Sequence, residues 1–204
     1  TMISKEFLAL FERVALARKV LVCGSTRPGE ESILLSATLT LKERFEDLLV
    51  VLVPRHPQRC AQVKEISNEL GLKSVIRSES TAFVGNIDVF IVDTIGELLS
   101  CYFAADLAFV GGSLLPHGGH NVLEPSGFGV PVLTGPHTEN FSNEVKSLKK
   151  VGALQVVRNR EDIVRAVSSL LEDENLRLSK GKEAERVVKE KSGALEKTFD
   201  LLLS

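Results

Sequence analysis

All four histidines of the chain, His56, His117, His120 and His137, lie in short stretches rich in glycine or proline that follow runs of apolar residues. Histidines placed for packing would scatter through the apolar runs, so their clustering points to a ligand site. Arg55 follows such a run directly and sits between Pro54 and Pro57, which stiffen the turn. A guanidinium fixed in that way suits a phosphate or a flat base, although a surface arginine in a rigid turn would look the same. Thr94-x-x-Glu97 and Asn121-x-x-Glu124 both read as capping boxes, with an oxygen acceptor at the N-cap and a Glu at the third helical position. Such a Glu can serve its own helix and nothing else. Glu124 is set apart by the glycine-rich turns around it, which let backbone approach a ligand, and its two oxygens can accept from both hydroxyls of a ribose. The helix start beside it suits a phosphate.

Other chemistries lack their signatures. Gly24 to Gly29 is no P-loop, because no Lys-Ser or Lys-Thr follows the second glycine, and no GxGxxG follows the first apolar run. Ser25 and Ser113 lie in no GxSxG elbow. His117 and His120 have no third ligand at a matching spacing, so no metal site and no bound cofactor is expected. The three cysteines, Cys23, Cys60 and Cys101, fit neither a zinc ribbon nor a CxxC pair and read as reduced thiols. With 25 Lys and Arg against 27 Asp and Glu, the net charge of −2 gives no general attraction for nucleic acid or anionic lipid. The longest uncharged stretch, residues 107–123, is broken by glycines, histidines and Pro116, so no membrane-spanning segment is expected in this chain.

The elements that must position these residues follow from periodicity. Short apolar runs alternate with longer segments of helical period, the order of βαβ units around a parallel sheet buried on both faces. The sequence predicts about six strands, at residues 19–23, 48–53, 73–77, 89–92, 107–110 and 131–133, with 154–157 as a candidate edge strand. Helices are predicted over 5–17, 30–44, 58–70, 95–104, 122–128 and 140–151, and the tail from 161 reads as two or three amphipathic helices. No repeat or linker divides the 204 residues, so the expected fold is a single doubly wound, mostly parallel Rossmann-like α/β domain with helices on both faces and a helical C-terminal tail. Ligands of such a sheet settle outside the carboxyl ends of the strands, which is where the four histidines, Arg55 and the stretches leading to Glu97 and Glu124 fall.

Several strings taken together resemble the C-terminal half of the Kdo transferases, bacterial enzymes that move 3-deoxy-D-manno-octulosonic acid (Kdo) from its CMP-activated form to lipid A precursors. They are Gly24-Ser25-Thr26-x-x-Gly29-Glu30-Glu31, Val53-Pro54-Arg55-His56-Pro57, Asp93-Thr94-x-Gly96-Glu97 and Phe109-Val110-Gly111-Gly112-Ser113-Leu114. Gly118-Gly119-His120-Asn121-x-Leu123-Glu124-Pro125 and Gly135-Pro136-His137-x-x-Asn140-Phe141 extend the match, which runs in order over residues 19–145.

The resemblance implies a two-domain, GT-B type glycosyltransferase of lipopolysaccharide synthesis, of which this chain is the CMP-sugar-binding half. It implies an inverting, metal-independent transfer at the cytoplasmic face of the inner membrane, with CMP-Kdo as donor and a lipid A precursor as acceptor. The general base, the acceptor surface and the membrane anchor belong to the other, N-terminal domain, so no catalytic residue is assigned here and the chain alone is expected to be inactive. The CMP contacts carried over are Pro54, Arg55, Ile95, Gly96, Glu97, Asn121, Val122, Leu123 and Glu124. Ser25, Thr26, Gly112, Ser113, His120 and Asn140 are second-rank candidates for the sugar. Arg27 stands where the family commonly has His, Val122 where Pro is usual, and His117 at a basic or variable position, which leaves open how many Kdo residues are added and where. Two other readings remain at this point: a UDP-sugar transferase or epimerase domain of GT-B type, and a non-catalytic Rossmann-like binding module.

Overall fold

A computed structural model describes residues 7, 11, 18–79 and 87–203, with side chains through residue 192. Seven parallel strands form one sheet in the order β3-β4-β2-β1-β5-β6-β7. They are β1 (Lys19–Thr26), β2 (Leu48–Pro54), β3 (Ser74–Ile76), β4 (Val89–Ile91), β5 (Leu107–Val110), β6 (Val132–Thr134) and β7 (Leu154–Val156). The candidate edge strand is thus β7. The helices are α1 (Glu30–Lys42), α2 (Cys60–Glu69), α3 (Leu98–Phe103), α4 (Leu123–Ser126), α5 (Ser142–Lys150), α6 (Arg160–Glu172) and α7 (Glu174–Leu203). The helix expected over 5–17 lies outside the described residues apart from Phe7 and Phe11, whose rings stack 5.6 Å apart.

The central strands are apolar throughout because both of their faces are covered. Every residue of β2, Leu-Leu-Val-Val-Leu-Val-Pro, is buried. Side chains alternate between two layers: Leu21 and Cys23 join Leu34, Leu35 and Val63 of α1 and α2 and Val167 of α6. Val20 and Val22 join Phe90, Cys101 and Tyr102 on the other face. A third cluster, with Val110, Val132, Leu148 and Ala184, seats α5 and α7 against the β5–β6 side. The three cysteines are free and buried, and burial together with Asp93 pushes the Cys60 thiol up to about 12. Among the described residues no helix is long and apolar enough to cross a membrane.

The sheet fixes where a ligand can sit. After β1 the chain turns toward β2, whereas after β5 it turns toward β6 on the opposite side, although β1 and β5 are neighbours. The crevice between these diverging connections is the topological switch point. Two predicted helices are shorter than periodicity suggests, and both open at this edge. The helix expected from 95 begins only at Leu98, because Gly96 takes a left-handed φ of 92° that no α-helix continues. The one expected over 122–128 is a single turn, Leu123–Ser126.

Candidate functional site

The loops after β1, β2, β4 and β5 enclose a cleft of about 400 Å³, lined among others by Ser25, Pro54, Arg55, Ile95, Gly96 and Glu124. Arg55, Gly96 and Glu124, far apart in sequence, therefore share one hollow. A larger groove of about 1060 Å³ lies at the far end of α1, where Thr40 and Arg44 face Arg160 and Glu172. Its arginines are already paired, as in the 2.6 Å contact of Arg44 with Glu172, and no strand residue lines it, so the smaller cleft is the candidate site.

The hollow is shaped by close packing of its loops. The chain leaves β1 through a register shift between Gly24 and Thr26, and Ser25 inside it has a φ of 56°, a left-handed conformation unusual for a residue with a Cβ. Gly24 lies against the Tyr102 side chain of α3: a Cβ there would fall 2.0 Å from the Tyr102 hydroxyl and 2.9 Å from Leu98. A Cβ on Gly111 would fall 2.7 Å from Cα of Thr26. These glycines were expected to admit a ligand; they instead let the β1 turn touch α3 and the β5 turn.

Glu30 does the joining. It opens α1 and is fully buried, and its carboxylate accepts the N–H groups of Arg27, Gly112, Ser113 and Leu114 at 2.7 to 2.8 Å. The amides of the Gly112–Ser113 turn, which could have cradled an anion, are occupied by this side chain. Glu31, equally buried, accepts from Thr26 Oγ1 at 3.0 Å and pairs with Arg59 at 2.8 Å, tying the same turn to the start of α2. Nothing in the sequence marks either glutamate for this role. Their adjacency ahead of an apolar helix resembles ordinary first-turn acidity, which conceals the buried network.

The remaining candidates separate by where their side chains point. The side chains of Thr26, Ser113 and Val122 are turned inward, which leaves only their backbone to face a ligand. Thr26 bonds Glu31; the Ser113 hydroxyl donates to the Val110 carbonyl at 2.6 Å and accepts the Gly135 N–H at 2.8 Å; Val122 fills the third core cluster. Leu123 packs against that cluster too. Gly112 is buried under the His120 ring. Asn140, exposed, reaches back to the Gly119 carbonyl at 3.5 Å.

Neither capping box forms as read. Glu97 is the N-cap of α3 and not its third residue; it bonds Thr94 Oγ1 and lies 3.6 Å from Arg77, off the cleft wall. Asn121 precedes the N-cap of α4, and its Oδ1 accepts the Leu123 N–H at 3.1 Å while its Nδ2 donates to Glu124 at 3.3 Å. Asn121 thus aims Glu124 at the hollow without lining it. Burial raises the Glu124 carboxyl above the usual carboxylate range, and the Asn121 bond partly offsets this. Burial, and after it the same carboxylate, pushes up the Tyr102 hydroxyl. Ile95 projects from the rim with 93% of its surface exposed. Arg55 is also exposed, its backbone N–H bonded to the Thr26 carbonyl at 2.9 Å.

A parallel sheet with its cleft at the switch point, one carboxylate and one guanidinium on the rim, is the Rossmann-like arrangement of a GT-B C-terminal domain. The chain belongs to the group 1 glycosyl transferases, whose family model matches residues 31–187. It is 39% identical over 186 residues to the 3-deoxy-D-manno-octulosonic acid transferase of Haemophilus influenzae, covering 91% of this chain and 44% of that one. The Aquifex aeolicus enzyme of the same name is 34% identical over 78% of this chain and 43% of its own length. The crystal structure of the C-terminal CMP-Kdo binding domain of WaaA from Acinetobacter baumannii superposes with a TM-score of 0.84 at 30% identity, covering 90% of this chain and 96% of that one. This chain therefore spans a little under half the length of those two transferases.

Proposed function

We propose that this chain is the donor-binding half of a glycosyltransferase that moves Kdo from CMP-Kdo to a lipid A precursor at the cytoplasmic face of the bacterial inner membrane. The observation that carries the reading is the shared hollow of Arg55, Gly96 and Glu124. Glu124, held by Asn121, accepts from the ribose hydroxyls; Arg55 pairs with the phosphate or stacks on the cytosine; the backbone at Ile95 and Gly96 borders the base. The acceptor hydroxyl attacks the anomeric carbon from the face opposite CMP, its proton passes to a carboxylate of the other domain, and the anomeric C–O bond breaks as CMP departs with the electron pair. A nucleoside monophosphate leaves one phosphate to neutralise, a task Arg55 performs without a metal ion.

Calorimetric titration with CMP, UMP and AMP tests the reading. CMP is expected to bind at least tenfold tighter than the other two, and Arg55→Ala and Glu124→Gln are each expected to weaken it at least tenfold. Indifference to all three nucleotides overturns it.

A further inference from the structure

A second group of basic side chains gathers beside the cleft. Arg27, from the turn after β1, places Nη1 3.0 Å from Nε2 of His56, from the turn after β2. Its stem and the His120 ring come together over the same side of Gly112: a Cβ on Gly112 would fall 2.8 Å from His120 Cδ2 and 3.7 Å from Arg27 Cγ. Arg27 Nε and His120 Nε2 are both shielded from water without a hydrogen-bond partner. The neighbouring carboxylate of Glu30, whose charge reaches His120, is taken up by four backbone amides. Unmatched polar nitrogens on packed basic groups are costly unless a ligand compensates them.

We propose that Arg27, flanked by His56 and His120, forms an anion subsite beside the nucleotide hollow that takes the carboxylate of the donor's sugar. This rests on reading the hollow as a CMP-sugar site. A sugar acid linked to CMP carries two separated negative charges, and the fold offers two separated guanidiniums. Both ride on one backbone strut, since the Arg55 N–H bonds the Thr26 carbonyl immediately before Arg27. The planar fork of Arg27 matches a carboxylate, and the imidazoles beside it hold its plane. Burial, with Arg27 and Arg55 nearby, keeps His120 below the usual imidazole range, so its ring stays neutral and can share a hydrogen bond without adding charge.

The test titrates the chain and its variants with CMP and, separately, with CMP-Kdo. The wild type is expected to bind the sugar nucleotide more tightly than CMP, and Arg27→Met to lose at least tenfold for CMP-Kdo while staying within twofold for CMP. His120→Gln should show the same selectivity with a smaller loss. Arg27→Lys, which keeps the charge without the fork, carries the test if the Met variant fails to fold and should also lose CMP-Kdo selectively. Equal losses for both ligands, or no loss for either, overturn the subsite and leave the CMP reading standing. A wild type that binds neither ligand overturns both.

Discussion

A single carboxylate, Glu30, sets the site's shape without facing its ligand. Removing it strands three amides of the Gly112–Leu114 turn in the interior, and each unpaired buried N–H costs about 1–3 kcal/mol. Glu30→Ala is expected to lower unfolding stability by about 3 kcal/mol in urea titration, far more than truncating an ordinary first-turn glutamate. Glu124 shows the opposite balance. Its folded carboxyl lies above its unfolded value, so the folded state is the better proton acceptor; that stabilisation is present at low pH and is lost as pH rises from the unfolded value through the folded one. Glu124→Gln should therefore melt above the wild type at neutral pH, with the difference shrinking as the medium is acidified. A variant that melts lower at neutral pH would show Glu124 to be structural. A gain in stability with a loss of CMP binding is what a residue held for its ligand should give.

The elements around the cleft are positioned by contacts that leave no room for a side chain. Where α7 crosses the segment between α4 and β6, a Cβ on Gly181 would fall 2.0 Å from the Gly129 carbonyl oxygen. Helix α7 buries Ala184 and Val187 in the same cluster as Val122, so Gly181→Ala is expected to cost about 2 kcal/mol by displacing the helix. The loss is read as a lowered unfolding midpoint of Gly181→Ala against the wild type in urea titration. Helix existence was legible from the 3.6-residue period, but the starts of α3 and α4 were not. Thr94 and Asn121 read as N-caps that start helices at 95 and 122, whereas Gly96, at a φ of 92°, and the Asn121 side chain, which accepts the Leu123 N–H, hold the chain in loop there. Period reports the buried face, while the helix end is decided by local dihedrals and caps.

At the scale of the molecule, the proposed function makes the cleft one wall of a larger site. The chain matches 44% and 43% of the length of two similar transferases, and the proposal assigns the base and the acceptor surface to the remainder. Accordingly this chain alone is expected to bind CMP yet transfer no sugar in a CMP-Kdo assay with lipid acceptor; turnover by the isolated chain would place the base within it. The sequence by itself determined the parallel α/β class, the strands and the carboxyl-end loops, because apolar runs and turn residues act over a few neighbouring positions. It also singled out Arg55, Gly96 and Glu124. Tertiary structure alone decided that these three meet, that Thr26, Ser113 and Val122 turn inward, and that Glu30 fills a nest of amides otherwise open to an anion. Those outcomes depend on strand order and on contacts between residues some eighty positions apart, and a backbone N–H carries no mark in the sequence of the partner it will find.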